Sequence, residues 1–386
     1  MIRFPLMDLN LRSCLPTAPV LLGLIVLLLI GLVGLEGCTI QEPLRVEPFE
    51  SGVLILEAKQ PQRELVSVAF INRQSGLYQL ARPKPGNLST DIFNNLNDRT
   101  LSDAVFSYAE VNGKGFLVLS GKGQLEVVEG STFRSIAQIG GAEGGRYVVG
   151  LNSLKAYVSC WGGQTMGANV SIIDLTTRDI SGRIPVAAGP EQMVLVGDEL
   201  FVANSGGNTG EPGKTVSIIN TTTDQLVTTI AVGDVPTSMV YDADAKLLYV
   251  LCTGRPVNGS ANGLTTAELI RIDPAKRQVV SRVTIGGRAI AGNVTNLTFD
   301  PQTKTLYFLW RGNVHKAQAS ATSITLDQPL VRRSLTNYGY DPVTATIYGA
   351  STNRSAKPGV VLRYQTTGAL IDSLSIEAVP TGFYFK

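Results

Sequence analysis

The sequence predicts an all-β chain folded as a seven-bladed β-propeller. Three observations carry this expectation. Gly is abundant, at 40 of 386 residues, and Val, Ile, Thr and Tyr recur in short runs, which favours many short strands joined by tight turns. A four-strand pattern recurs at intervals of about 41–58 residues, the spacing of propeller blades. The C-terminal segment reads as a first strand, while the N-terminal repeat lacks one.

The clearest unit runs from Gly189 to Gly233. Pro190 to Val196 is one strand, turned by Gly197, Asp198 and Glu199. Leu200 to Asn204 is the second, followed by a loop from Ser205 to Lys214. Thr215 to Asn220 is the third, and Gln225 to Val232 the fourth. First strands recur at Ala104–Glu110, Arg146–Gly150, Pro236–Asp242, Val294–Asp300, Leu335–Asp341 and Pro380–Phe385, which with Pro190–Val196 makes seven. Before them stand Val53–Glu57, Leu65–Ile71 and Leu77–Leu80, three strands without a first. Pairing Thr381–Lys386 with these closes the ring and leaves no free edge between the terminal blades. Residues Pro83 to Ser102 interrupt the pattern, with a helical turn expected at Asp91–Leu96.

Ahead of the propeller, Arg3 and Arg12 precede an apolar run from Pro19 to Leu35. A basic start, an apolar run and small residues read as an export signal. The run ends in Leu35-Glu36-Gly37-Cys38, similar to a bacterial lipobox in which Cys38 is the lipidated residue. An uncleaved membrane span stays open as the alternative, and both readings put the remainder outside the cytoplasm. The expected organisation is a signal or anchor over 1–38, a tether over 39–51 and a propeller over 52–386.

A formal net charge of +2 with scattered basic residues gives no footprint for nucleic acid. Cys160 and Cys252 end strands in non-adjacent repeats and are expected to be free, buried thiols. His315 is the only histidine, which argues against His-based acid–base catalysis and His-rich metal sites.

Leu200-Phe201-Val202-Ala203-Asn204 followed by Thr215-Val216-Ser217-Ile218-Ile219 resembles the YVTN-type propeller repeat of surface-layer-like proteins. So does Ala156-Tyr157-Val158 followed by Val170 to Asp174. The ending Gly382-Phe383-Tyr384-Phe385-Lys386 is similar to that of propeller lipoproteins from Bacteroidota. The resemblance covers roughly residues 50–386. It implies a surface-exposed outer-membrane lipoprotein, and some relatives work beside TonB-dependent transporters. One similar group captures cobalamin and other corrinoids.

The loops after the second strands lie on one face: Lys59–Glu64, Cys160–Gly167, Ser205–Lys214, Thr253–Thr266 and Ser351–Gly359. They are long and unlike one another, whereas the turns on the opposite face are short and uniform. Variable loops on one face of a rigid scaffold are how binding sites are commonly built. The candidate ligand-binding rim comprises Arg63, Arg146, Trp161, Gln164, Gln192, Asn204, Arg255, Trp310, Arg311 and Arg354. Trp161 and Trp310 offer flat rings with an N–H donor, and arginines can stack or fork onto an anion. Packing of the tryptophans between blades, solvation of the arginines and capping of a loop by Asn204 are the bland readings of the same residues. Tyr338 is placed to line the channel lower down.

No catalytic residue, cofactor or metal is expected. Glu191 and Asp234, with Asn204 and Asn293, are too few oxygens for the calcium of a lactonase-type propeller. No G-x-S-x-G elbow, C-x-x-C pair or phosphate loop occurs. The expected role is a monomeric ligand-binding lipoprotein, with a small molecule and a TonB-dependent transporter as partners. A structural or adhesive surface protein that binds protein or polysaccharide is the alternative.

Overall fold

Short apolar runs pair with their neighbours in sequence and build seven antiparallel sheets. The computed structural model describes residues 49–58, 68–72, 92–255, 265–286, 294–352, 359–376 and 378–386. The signal, Cys38, most of the tether, Arg63, Leu77–Leu80, Asn293 and Arg354 lie outside the described residues.

Blade I holds β1 (Gly52–Ala58) and β2 (Val68–Asn72). A short helix, α1 (Ile92–Asn97), precedes blade II, which holds β3 (Ser107–Val111), β4 (Lys114–Leu119), β5 (Gln124–Glu129) and β6 (Ser135–Ile139). Blade III holds β7 (Gly145–Gly150), β8 (Lys155–Cys160), β9 (Asn169–Asp174) and β10 (Asp179–Pro185). Blade IV holds β11 (Pro190–Val196), β12 (Glu199–Asn204), β13 (Thr215–Asn220) and β14 (Gln225–Ala231). Blade V holds β15 (Pro236–Asp242), β16 (Leu247–Cys252), β17 (Glu268–Asp273) and β18 (Gln278–Thr284). Blade VI holds β19 (Val294–Asp300), β20 (Thr305–Trp310) and β21 (Asn313–Gln318). Blade VII holds β22 (Leu335–Asp341), β23 (Thr346–Ser351), β24 (Gly359–Gln365) and β25 (Leu370–Ile376).

The expected closure is present. The last strand, β26 (Val379–Phe385), pairs antiparallel with β1 and is the inner strand of blade I. Lys386 fastens it to the next blade. Its Nζ lies 2.8 Å from Glu110 Oε2 and donates to Gly130 O at 2.6 Å. Tyr384 meets Tyr108 edge-on at 4.7 Å beside this junction.

Second strands such as β12 and β16 are buried along almost their whole length, because blades cover both of their faces. Outer strands β10 and β18 alternate exposed and half-buried residues, the period of a strand with one wet face. The uniform turns have one chemistry. Asp174, Asn220, Asp242, Asp300 and Asp341 each accept backbone N–H groups two and, in most cases, three residues on. The residue four places after each has positive φ: Arg178, Asp224, Lys246, Lys304 and Ala345. An Asx side chain that caps such a turn makes the reversal local and repeatable.

Blade VI departs from the expected four-strand pattern. Its outer strand is replaced by an irregular stretch running from Ala319 to Ser334, which touches β21 through a Val314–Val331 bridge. Arg271 of blade V clamps the start of this stretch. Its guanidinium donates to Ala319 O at 3.0 and 2.7 Å and to Ala321 O at 2.5 Å. In blade VI, His315 is 1% exposed, stacks on Phe308 and, among the described residues, has no hydrogen-bond partner on either nitrogen.

Burial, with Arg332 adding to it, holds the pKa of His315 below its ordinary 6.5. The unfolded chain therefore takes up this proton first as pH falls, and stability is lost from about pH 6.5 downward. We expect His315→Phe to flatten the fall in melting temperature between about pH 7.5 and pH 5, because the chain has only this histidine. A thermal-melt series in which the variant and the parent keep the same slope would refute the assignment.

Candidate functional site

The inner strands carry the feature that builds the site. In β7, β11, β15, β19, β22 and β26 the pairing with the second strand slips near the strand start. Such a bulge frees residues from the ladder and redirects them. Each link between inner strands has a residue freed in this way on one side: Arg146, Gln192, Leu297, Asn296 and Thr381. Ser107 Oγ donates to Arg146 O at 2.5 Å, joining blades II and III. Gln192 Oε1 accepts from Met239 N at 2.9 Å, joining IV and V. Ser238 Oγ accepts from Leu297 N at 3.3 Å, joining V and VI. Asn296 Nδ2 donates to Asn337 Oδ1 at 2.5 Å, and Asn337 Nδ2 donates to Thr381 O, joining VI, VII and I.

The link between blades III and IV differs from these in being ionic. Arg146 Nε lies 3.1 Å from Glu191 Oε2, and Nη2 lies 3.3 Å from Oε1. Ser205 Oγ donates to the same Oε1 at 3.3 Å. The Arg146 carbon Cζ stands 3.6 Å from the Phe106 ring centre and 4.1 Å from that of Trp161. Phe106 also meets Tyr147 edge-on at 5.4 Å. Burial pushes the Glu191 carboxyl above its ordinary pKa, although Arg146, Ser205 and Trp161 pull it down. Burial likewise pushes the Tyr147 hydroxyl up to about 12, so it stays protonated at neutral pH.

Backbone close approach seats the tryptophan. Gly207 has φ +57°, and a Cβ there would stand 3.0 Å from Gly189 Cα and 3.3 Å from Trp161 Cδ2, so a larger residue would strain the turn and press on the ring. Trp161 N donates to Gly144 O at 3.0 Å, which ties the loop after β8 to the connection that enters β7.

The sequence-derived candidates separate on this geometry. Arg146 and Trp161 come together at one mouth, with Glu191 between blades and Gln192 beside it in the inner-strand belt. Gln164 is exposed in the loop after β8, near Thr165, which donates to Glu143 Oε1 at 2.8 Å. Arg255 is exposed in the loop after β16, one blade beyond β11. Asn204 is fully buried and donates to Thr215 Oγ1 and Ser217 Oγ, so its amide serves the blade interior. Trp310 packs on the core of blades V and VI, edge-on to His315, with a buried indole N–H. Exposed Arg311 covers its ring at 4.9 Å. Tyr338 does not line the channel; it is buried and bonds Asn296 O at 2.7 Å. Phe106, Tyr147 and Ser205 were not singled out by sequence. Their signal, one aromatic or hydroxyl residue near a strand end, is too common to mark a site.

The other acidic group named for this rim is engaged. Asp234 pairs with Lys214 at 3.0 Å and accepts from Thr265 Oγ1 at 2.8 Å. Among the described residues, no three His, Cys, Asp or Glu side chains gather to hold a metal. Cys160 and Cys252 are free and buried, and burial raises both thiols, to about 11 and about 12.

No family model and no curated protein matches this chain. Solved structures do. A quinonprotein alcohol dehydrogenase-like protein from Bacteroides thetaiotaomicron superposes with TM-score 0.63 at 13% identity, over 88% of this chain and 79% of that one. A protein of unknown function from Desulfotomaculum acetoxidans gives 0.58 at 12%, over 87% and 98%. Kuenenia stuttgartiensis hydrazine synthase gives 0.56 at 16%, over 72% and 88%. The likeness is one of fold. At these identities it supports the seven-bladed architecture and carries no chemistry across.

Glu191→Gln keeps the shape and removes the charge that faces Arg146. The side chains of the pair are 19% and 6% exposed, so the expected destabilisation is about 2–3 kcal/mol, below that of a fully buried pair. Denaturant unfolding of Glu191→Gln, Arg146→Met and the double variant tests this. A double variant no more stable than the sum of the single losses would show that the two side chains act independently.

Proposed function

We propose that this chain is an exported, lipid-anchored binding protein without catalytic activity. It captures a small molecule at the mouth formed by blades II, III and IV and passes it to a TonB-dependent outer-membrane transporter. The observation that carries the reading is the Arg146–Glu191 pair set between Phe106 and Trp161. The pair sits among neutral links, where a charged fork and two aromatic rings converge on the channel. The loop after β8 adds a polar rim. The N-terminal apolar run and Cys38 support export and lipidation, and the similarity to propeller lipoproteins makes a corrinoid the first ligand to try.

Calorimetric titration of the purified protein with cyanocobalamin tests the ligand class. Saturable heat that is weakened by about tenfold or more in Trp161→Ala supports capture at this mouth. Absence of heat removes the corrinoid. A polysaccharide or protein partner recovered from outer-membrane extract, with no transporter among the captured proteins, would favour an adhesive role instead. Lipidation is read separately. Labelled palmitate should enter the wild-type chain and not Cys38→Ala; equal labelling of both would contradict the anchor.

A further inference from the structure

We infer that the ligand of this mouth carries a carboxylate and binds it on the outward edge of Arg146. The inference rests on the reading of the mouth as a binding site and not on the corrinoid, which carries amides and a phosphodiester in place of carboxylates, and it adds the chemical group that the mouth recognises.

A guanidinium has five N–H groups in one plane. Nε and one N–H of Nη2 are directed at Glu191, at 3.1 and 3.3 Å. The Phe106 and Trp161 ring centres lie 3.6 and 4.1 Å from Cζ, too close for both rings to share one side. They therefore cover the two faces. Both faces and one edge are occupied, which leaves the edge formed by Nη1 and the second N–H of Nη2. Among the described residues that edge makes no hydrogen bond, and Nη1 is not sealed from solvent. The side chain keeps 19% exposure, while its partner carboxylate keeps 6%.

Two parallel N–H donors in one plane match the two oxygens of a carboxylate. A ligand entering there is confined to the plane between two rings. A planar carboxylate fits this slot, whereas a tetrahedral phosphate drives oxygens toward the ring faces. The neighbouring carboxylates are engaged elsewhere: Glu143 accepts from Thr165, and Asp234 pairs with Lys214. Because stacking and Glu191 hold the guanidinium still, the ligand orders little side chain on binding.

Titration calorimetry of the detergent-solubilised full-length protein with benzoate, benzamide and inorganic phosphate tests this. Benzoate is expected to bind about tenfold more tightly than benzamide, which has the same shape without the charge, and more tightly than phosphate. Benzamide equal to benzoate overturns the inference, and so does phosphate equal to benzoate. Arg146→Lys keeps the charge and loses the fork, so benzoate affinity should fall by about tenfold, with folding checked by circular dichroism. If that variant does not fold, the benzoate–benzamide comparison on the unaltered chain decides. No preference for benzoate, with cyanocobalamin binding still sensitive to Trp161→Ala, overturns the carboxylate and leaves the mouth. Benzoate binding indifferent to both Arg146→Lys and Trp161→Ala overturns both.

Discussion

The structure depends on side-chain hydrogen bonds that run from each inner strand to the next. A propeller blade holds itself together by its own ladder, but nothing in a ladder fixes one blade beside another. Apolar packing between blades provides most of the attraction and little of the register. The slipped starts of the inner strands solve this. Each frees a backbone group or side chain near the strand start, and the links of Ser107, Gln192, Ser238, Asn296 and Asn337 to the next blade each include such a freed residue on one side. The remaining junction, between the inner strand built from the chain's end and blade II, uses the Lys386 ammonium on Glu110 and Gly130. The channel wall is thus polar because of its structural role.

This belt also explains why one stretch of the wall stands out. At the III–IV junction the neutral link is exchanged for Arg146 and Glu191, at a cost in desolvation that the raised Glu191 pKa records. A neutral amide at that place would serve the ring as well as Gln192 does one junction further on. The I–II junction is ionic as well, through Lys386 and Glu110; the III–IV pair differs in lying against Phe106 and Trp161, and the proposed binding role rests on that. Blade VI shows the opposite case. There an unpartnered His315 and a buried Trp310 indole lie in an apolar core, and the odd chemistry is absorbed by packing.

Much of the fold was legible in the sequence, because blade grammar is local. Strand periodicity, Asx-capped turns and the terminal strand without companions are each written within a few residues. Arg146, Glu191, Gln192 and Trp161 were legible as positions near the mouth, since each follows a blade connection or ends a second strand. What joins them was not legible. A bulge decides which of two adjacent inner-strand residues meets the neighbouring blade, and no residue type announces it. Trp310 closes its second strand opposite Val294, whereas Trp161 stands one residue past the equivalent Cys160, and one faces an apolar core and the other an arginine. Asn204 reads equally as a channel amide or a blade-interior group, and the hydroxyls of Thr215 and Ser217 make it the latter. The absent outer strand of blade VI was not legible because Ala319–Ser334 spans a length like that of an outer strand with its connections.

The most direct test of a binding mouth at blades II to IV is a tryptophan emission measurement. The chain has two tryptophans, so Trp310→Phe leaves Trp161 as the sole reporter beside Arg146. The account predicts that its emission shifts in intensity or wavelength and saturates as benzoate is added, in step with the calorimetric binding curve. Emission that stays flat while calorimetry shows benzoate bound would place the ligand elsewhere and contradict the account.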